Sequence, residues 1–263
     1  MASAANSPMI FPGYVLTAGA QGPLVRAIQQ RLNQLGCGPV MEDGVFGAET
    51  ADAVELFQAR SLDKFSSPLQ VDGVVGPMTW GALFGAASVP PVTRAATPLL
   101  QRVLKVAGSQ VGVLEEPTGS NRGPQVDEYL RCAGLEPASG CHAWCAAFVY
   151  WCFHRAAADL GVANPAVRTA QVLDMWTRAG AAGVKRISAV EALAQPSLVQ
   201  PGCVFVLSTG SGNGHTGLVE WADGDRLTTI EGNTNEKGGR EGIGVFRRTG
   251  RMVANINRGF ILY

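Results

Sequence analysis

The sequence predicts an α+β fold in two parts: a small three-helix bundle at the amino terminus, and a larger domain whose helices pack on an antiparallel sheet. Three observations support this prediction. A glycine-turn motif occurs twice before residue 85, and apolar residues recur at helical spacing up to about residue 179. From Cys203 onward, short strand-like runs follow one another, most of them separated by glycine-bearing turns. Helices followed by hairpin-linked strands are typical of the α+β class.

Composition limits the classes of function. The 263 residues suffice for two modest domains, and 46% of them are hydrophobic, as in a globular chain that buries a sizeable core. Lys and Arg total 21, as do Asp and Glu, so the formal net charge is zero. This balance argues against nucleic acid as a partner, because nucleic-acid binding relies on a basic patch that neutralises phosphates. An uncharged sugar polymer or a mixed-charge peptide fits better.

The glycine-turn motif organises the first part of the chain. Residues 43–50, Asp-Gly-Val-Phe-Gly-Ala-Glu-Thr, recur in residues 72–79 as Asp-Gly-Val-Val-Gly-Pro-Met-Thr. Each copy predicts a turn followed by a helix. An apolar stripe of Leu24, Ile28, Leu32 and Leu35, ended by Gly36, predicts a helix upstream. We therefore expect a tail over residues 1–16 and a three-helix unit over residues 17–85.

The residues of this unit resemble the common bacterial peptidoglycan-binding domain. The resemblance rests on the two Asp-Gly-x-x-Gly-x-x-Thr turns and on further matching positions, which are Gln29, Leu32, Asn33, Leu35, Gly36, Phe57, Gln58, Thr79 and Trp80. It implies a three-helix bundle that holds glycan-peptide in a shallow groove. It does not fix which residues line that groove, since most motif positions are structural glycines and core apolar residues.

A linker and a second domain follow. Small residues and paired prolines over residues 86–97 predict a semi-extended tether, and residues 98–263 form the second domain. Predicted helices cover residues 98–112, a short segment from Pro124 through Leu130, residues 144–158 and residues 169–179. Predicted strands cover residues 203–208, 215–221, 226–231, 243–248 and 258–263.

Cys145 is the candidate nucleophile. It lies at or near the start of the helix predicted over residues 144–158, where free backbone N–H groups and the helix dipole favour a thiolate. Its own backbone N–H would also point toward an oxyanion that forms beside the sulfur. The alternative is a buried structural cysteine, which describes Cys152 well. Zinc is disfavoured because Cys141 and Cys145 have no second ligand pair with matching spacing.

A thiol nucleophile needs a base, and the chain has three histidines. His142 lies at the edge of the helix predicted to begin at residue 144, and His154 is most simply a surface residue. His215 stands where a glycine loop enters a strand, so that small neighbours leave its imidazole accessible. His215 is therefore the predicted base.

Strand register tests whether a polar partner reaches His215. If Asp223-Gly224-Asp225 form a three-residue hairpin loop, His215 lies opposite Asn233 and diagonal to Glu231, on one face. A two-residue loop would place both partners on the opposite face.

The second domain resembles the CHAP family, the cysteine, histidine-dependent amidohydrolase/peptidases. The motifs that carry the resemblance are Trp-Cys-Ala-Ala-Phe-Val at 144–149, His-Thr-Gly-Leu-Val at 215–219 and Glu-Gly-Asn at 231–233. The resemblance covers roughly residues 99–263 and implies a papain-like fold. It also implies that Cys145 is the nucleophile, His215 the base, Glu231 the residue that orients His215, and Asn233 a supporting polar residue.

The resemblance implies hydrolysis of an amide bond in the bacterial wall peptide through a cysteine acyl-enzyme. Some family members carry an aspartate-rich calcium loop ahead of the nucleophile, but residues 119–124 read Gly-Ser-Asn-Arg-Gly-Pro. We therefore expect no metal and no cofactor. Which bond is cut, the sugar–alanine link or one within the peptide, stays open. So does whether Glu231 or Asn233 orients His215.

The partner and the site of action are also expectations. The substrate would be bacterial peptidoglycan, cleaved by a monomeric enzyme with no nucleic-acid partner. No run reaches the roughly 20 apolar residues of a membrane span, and Met1 to Tyr14 lack the pattern of a secretory signal. The chain would therefore be synthesised in the cytoplasm without a signal peptide and reach the cell wall or periplasm by other means.

The sequence is compatible with three biological roles. The chain is predicted to be a phage-type lysis enzyme, an endolysin released by a holin, because a wall-binding domain joined to a hydrolase is the usual layout of such enzymes. The alternative is an antibacterial toxin delivered by a secretion system, whose producer would need an immunity protein. A non-catalytic wall-binding protein is the third possibility.

Overall fold

The computed structural model describes residues 9–235 and 242–263, which form two compact units. The first unit runs as far as Pro91, together with the short segments Ala194–Ser197 and Asp223–Asp225, and the second contains the remainder. The described residues form eight α-helices and a six-stranded antiparallel sheet, which confirms the predicted α+β class. Within the same ranges, no helix combines the length and the apolar character that crossing a bilayer demands.

The first unit contains the predicted three-helix bundle. Each helix starts directly after a glycine, and proline takes the first helical position of the first and third helices, where its missing N–H costs nothing. Their apolar faces meet in a core that includes Ile28, Phe57 and Trp80. The helices are α1 (Pro23–Gln34), α2 (Ala48–Ala59) and α3 (Pro77–Phe84).

A buried glutamine holds each copy of the repeated turn. The Nε2 group of Gln29 donates to Asp43 Oδ1 at 2.9 Å and to Thr50 Oγ1 at 3.2 Å, while its oxygen accepts the Gly44 N–H. The second copy repeats these contacts with Gln58, Asp72, Thr79 and Gly73. The motif positions are therefore structural, since they satisfy the buried backbone of the turns.

The second unit places helices before and against the sheet. Its helices are α4 (Pro98–Ser109), α5 (Pro124–Ala133), α6 (Cys145–Leu160), α7 (Val172–Ala181) and α8 (Ala189–Ala194). Its strands are β1 (Lys185–Ser188), β2 (Val204–Gly210), β3 (Asn213–Asp223), β4 (Arg226–Thr234), β5 (Gly244–Met252) and β6 (Gly259–Leu262). The strand order is β1-β6-β2-β3-β4-β5, so that β3 and β4 form a hairpin.

The sheet contains one strand more than the sequence predicts. β1 lies at the sheet edge and pairs with β6 over four residues, of which only Ile187 is buried. A segment with one inward side chain has no readable alternation, so its pairing depends on tertiary contact. The five predicted strands are present, and β2, β3, β4 and β5 extend beyond their predicted ends.

Helix α6 fixes the position of Cys145, the candidate nucleophile. It is buried over most of its surface and packs against α4, α5 and β4, as expected of a helix whose apolar residues are not confined to one face. Strand β4 approaches the amino-terminal end of α6 at Gly232. A Cβ there would lie 2.7 Å from Phe148 Cβ and 2.8 Å from Trp144. Only glycine allows this approach, which brings Glu231 and Asn233 beside the start of α6.

Candidate active site

Cys145 is the first residue of α6 and is 3% exposed. The preceding residue, Trp144, provides no side-chain cap, and its carbonyl accepts the Phe148 N–H at 2.8 Å. The first N–H groups of a helix have no partner within that helix. The Cys145 sulfur therefore lies at a helix end whose N–H groups and dipole stabilise negative charge.

His215 lies on β3 and connects the thiol to a carboxylate. Its Nε2 atom is 2.8 Å from Glu231 Oε2, and its ring also hydrogen-bonds the Cys145 side chain, which leaves Nδ1 as the nitrogen toward sulfur. Burial disfavours the charged ring, but the hydrogen bonds and negative charges of Cys145 and Glu231 outweigh it. Together they raise the pKa of His215 to about 9.

Glu231 is fully buried on β4 and has several donors. Besides His215, Arg251 donates from Nε to Oε1 at 2.8 Å and from Nη2 to Oε2 at 2.7 Å, and Thr229 Oγ1 donates to Oε1 at 2.6 Å. Burial alone would raise the pKa of Glu231. The hydrogen bond to His215 and the charge of Arg251 prevail and lower it to about 2. Glu231 is therefore ionised except at strongly acidic pH.

The hairpin that carries this pair differs in detail from the predicted one. Strand β3 ends at Asp223 and β4 begins at Arg226, so only two residues, Gly224 and Asp225, stand between them rather than three. His215 and Glu231 nevertheless share a face of the sheet, as in the predicted register that sets His215 opposite Asn233. A Cβ on Gly217 would lie 2.8 Å from Glu231 Cγ, and His215 is two residues from Gly217 on the same strand.

Asn233 has a different place from Glu231. It is buried, with φ of 53°, at an irregularity in the pairing of β4 with β5. With its amide oriented so that oxygen meets a donor, it accepts from the Trp144 backbone N–H at 3.2 Å and donates to the Gly242 carbonyl at 3.3 Å. Asn233 thus holds the backbone next to Cys145, while the carboxylate of Glu231 contacts His215.

The remaining thiols and histidines lie in other surroundings. All six cysteines are free. Cys141 is exposed, and its sulfur accepts from Asn121 Nδ2 at 3.1 Å. Cys152 is fully buried, which raises the pKa of its thiol. Exposed His154 stacks on Tyr150, and His142 Nε2 is 3.1 Å from Ser139 Oγ.

A cleft of about 430 Å³ opens over the sulfur and the imidazole. One wall includes Asn121, whose backbone N–H is bound by Glu115 Oε2 at 3.1 Å, while Glu115 Oε1 accepts Trp144 Nε1 at 2.9 Å. Buried Glu115 thus ties this wall to the residue before Cys145, a role that the sequence did not reveal. The cleft is lined by Gly119, Asn121, Cys141, Ala143, Cys145, Asn213, Gly214, His215, Asn233, Gly242 and Ile243.

The lining of the cleft is suited to a neutral peptide. It consists mainly of amides, glycines and small residues around the imidazole of His215 and the thiols of Cys141 and Cys145, so backbone amides of a substrate would find donors and acceptors. Within residues 9–235 and 242–263, no group of three or more His, Cys, Asp or Glu side chains is placed to hold a metal ion.

The first unit has a groove of its own, of about 480 Å³. It lies between the start of α1 and the first repeated turn, with Arg26 and Asp43 as its charged residues. The other lining residues are Gln21, Gly22, Pro23, Ala27, Gln30, Gly44 and Val45. At the place of Arg26, three residues before the turn-holding glutamine, the second repeat has Glu55. The two repeats therefore share a frame but differ in charge.

Family models match both parts of the chain. Residues 21–83 match the family described as "Putative peptidoglycan binding domain". Residues 137–233 match the family described as "CHAP domain". The second match contains Cys145, His215, Glu231 and Asn233 and ends before β5 begins.

Individual relatives cover smaller stretches. The chain is 40% identical over 90 residues to an "Uncharacterized protein in bpoA1 3'region" of Kitasatospora aureofaciens, which covers 31% of this chain and 70% of that protein. It is 29% identical to the Burkholderia AP3 phage endolysin in its crystal structure, with a TM-score of 0.24 over 36% of this chain. The chain spans about a third of the length of that endolysin, 33%.

Proposed function

Because the chain belongs to the CHAP family and carries an amino-terminal peptidoglycan-binding domain, we propose that it is a peptidoglycan hydrolase that cuts an amide bond of the wall peptide through a cysteine acyl-enzyme. The observation that carries this proposal is the buried series from the Cys145 thiol through His215 to Glu231, beneath a cleft lined by amides. A nucleophile, a base and a residue that orients the base are the parts that acyl transfer requires.

In the first half of the reaction, the Cys145 thiolate attacks the amide carbonyl and a carbon–sulfur bond forms. The Cys145 backbone N–H is placed to donate to the oxygen that becomes negative. The His215 imidazolium then gives its proton to the amide nitrogen, the carbon–nitrogen bond breaks, and the amine leaves. A thioester on Cys145 remains.

In the second half, neutral His215 takes a proton from water, and the resulting hydroxide attacks the thioester. The carbon–sulfur bond breaks, the carboxylic acid product leaves, and the thiolate is restored beside an imidazolium. Glu231 keeps Nε2 of the ring engaged in both halves, so that Nδ1 faces the sulfur and the substrate.

The test of this function is digestion of purified peptidoglycan followed by mass spectrometry of the released fragments. We expect new amine and carboxylate ends with intact glycan chains. An amidase would release free stem peptides, and an endopeptidase would release shortened stems or opened bridges. Intact peptide bonds accompanied by cut glycan, or no release at all by the folded protein, would refute the proposal.

The groove of the first unit is the proposed contact with the wall, with Arg26 facing peptide carboxylates. In full-length protein made inactive by Cys145→Ala, we expect Arg26→Glu to weaken cosedimentation with insoluble peptidoglycan about three- to tenfold, because a favourable charge contact becomes repulsive. Glu55→Arg, at the matching position of the second repeat, is the control. Equal binding by Arg26→Glu and its parent would exclude this groove.

For the biology, we propose the phage-type lysis role, with the enzyme synthesised in the cytoplasm and acting on the wall as a monomer. Its support is the combination of a wall-binding domain with a hydrolase domain.

A further inference from the structure

The residues around Glu231 form a network that extends beyond the three groups of the proposed mechanism. Arg251 on β5 makes a two-point contact with Glu231, at 2.8 Å and 2.7 Å. Its side chain is 11% exposed, against 0% for Glu231. Arg251 lies beyond residue 233, outside the stretch that matches the CHAP family.

We propose that Arg251 is a positioning residue of the hydrolase: its guanidinium holds the carboxylate of Glu231 in one orientation, so that Oε2 faces His215. This inference rests on the proposed function, since it assigns Arg251 to the same reaction. Arg251 would act through Glu231 and would not touch the substrate.

Strand geometry shows how Arg251 reaches this position. Leu227 pairs with Arg251 and Thr228 pairs with Thr249, so Gly250 is an extra residue, a β-bulge with φ of 82°. Without the bulge, Arg251 would point to the other face of the sheet, since side chains alternate along a strand. The bulge places it on the face of Arg248 and Glu231, as bulges commonly re-aim side chains near active sites.

Packing fixes the plane of the guanidinium. Its carbon lies 4.7 Å from the centroid of the Phe205 ring, and the His215 ring lies 5.9 Å from the same ring. Phe205 is fully buried. One aromatic side chain therefore supports both partners of Glu231, and a planar fork held by a ring and a carboxylate has little freedom to turn.

The charges around Glu231 alternate in sign. His215 faces it from β3, Arg251 and the more distant Arg248, at 3.7 Å, from β5, and the Thr229 hydroxyl from its own strand. Cys145 lies beyond the imidazole on α6. A buried carboxylate with only a histidine beside it would bear a large desolvation cost. Arg251 places a positive charge in direct contact with the carboxylate, which offsets this cost.

Arg247 provides a matched control for Arg251. Arg247, four residues earlier on the same strand, makes an equally two-pronged contact with Glu220, at 2.6 Å and 2.9 Å. That pair is more open to solvent than Arg251 and Glu231, with 45% of the Arg247 side chain and 23% of the Glu220 side chain exposed. Arg247 is adjacent to Arg248 on the strand and therefore lies on the opposite face of the sheet. A role specific to Arg251 should be absent from Arg247.

The experiment compares full-length Arg251→Met, Arg251→Lys and Arg247→Met on soluble muropeptides, with kcat, KM and the pH profile measured for each. For Arg251→Met we expect kcat at least about tenfold lower with KM within about twofold, since substrate contacts are intact. The alkaline limb of its pH–activity profile should move to higher pH by about half a unit or more, because a cation near the imidazolium is gone while Glu231 stays charged.

Arg251→Lys should return this limb to the wild-type position and recover only part of kcat, because an ammonium group cannot make the two-point contact. Arg247→Met should match the wild type.

A double variant separates positioning from stability. Arg251→Met together with Glu231→Gln removes both buried charges and so leaves neither unpaired. If Arg251 acts only through Glu231, this variant has the same kcat as Glu231→Gln alone. A further tenfold loss, or an Arg251→Met enzyme with wild-type kcat and pH limb, would overturn the proposal while wild-type hydrolysis stands. Should the wild-type enzyme release no peptide fragments, the proposed function itself fails.

Discussion

Replacing Cys145 with alanine is expected to lower hydrolysis of purified peptidoglycan by at least about 10⁴-fold while leaving the fold intact. Without the thiol no acyl-enzyme forms, and loss of a nucleophile costs the largest share of the rate in enzymes of this mechanism. The side chain lost is small and the helix start is otherwise unchanged, so circular dichroism and the melting temperature should stay close to the wild type. Release of soluble fragments is the measurement.

Cys141→Ala is the matched control, because Cys141 lies four residues earlier in the same cleft. It should retain most of the activity, since its sulfur contacts Asn121 and not the imidazole. Limiting iodoacetamide at neutral pH should label Cys145 first and abolish hydrolysis in step with labelling. Loss of activity in Cys141→Ala, or full activity after Cys145 is labelled, would contradict the assignment of the nucleophile.

Glu231→Gln is expected to lower kcat by about 10²-fold or more and to move the alkaline limb of activity to lower pH. The amide cannot hold the imidazolium as a carboxylate does, and neutralising an orienting acid has large effects in triad enzymes. In the wild type, the pKa of His215 is raised to about 9, so activity that needs the imidazolium falls as the pH rises through about 9. Loss of the Glu231 charge lets burial bring this pKa back toward its ordinary value of 6.5. The kcat/KM profile between pH 5 and about 10 measures the shift.

The same two pKa shifts should make the free energy of unfolding depend on pH. A raised His215 pKa contributes free energy of unfolding that is fully present below pH 6.5 and is lost as the pH rises through about 9. The lowered Glu231 pKa contributes free energy that is present above pH 4.5 and is lost as the pH falls toward about 2. Both contributions should diminish in Glu231→Gln.

Asn233→Ala is the comparison for Glu231→Gln. Asn233 contacts the Trp144 backbone and leaves the imidazole to Glu231, so its loss should lower kcat less and leave the alkaline limb in place. An Asn233→Ala variant that shifts the limb, beside a Glu231→Gln variant that does not, would assign the orienting role to Asn233.

Much of this site could be read from residue order. The repeated turn with its buried glutamines predicted the amino-terminal bundle, because local backbone geometry demands glycine, aspartate and threonine at fixed spacing. The apolar helix after Cys145 and the glycine-rich entry to His215 placed the two groups where the structure brings them together. The α+β class followed from the change of periodicity, which is a local property of the chain.

Other features depended on tertiary structure. Local patterns left the choice between Glu231 and Asn233 open, and the close approach of β4 to α6 at Gly232 gave each residue a different neighbour. The edge strand β1 exists through its pairing with β6. The bond between Glu115 and Trp144 joins two residues that lie 29 positions apart in the sequence, so no local pattern pointed to it.

Arg251 shows why some features follow from the sequence and others only from the tertiary structure. A helix face or a turn is set by neighbours within a few residues, so the sequence by itself determined the bundle, the α+β class and the nucleophile's helix. The face of a strand residue depends on the register of long-range pairing, and one bulge reverses the alternation for every residue after it. The bulge at Gly250 turned Arg251 toward Glu231, and only the assembled sheet decided that.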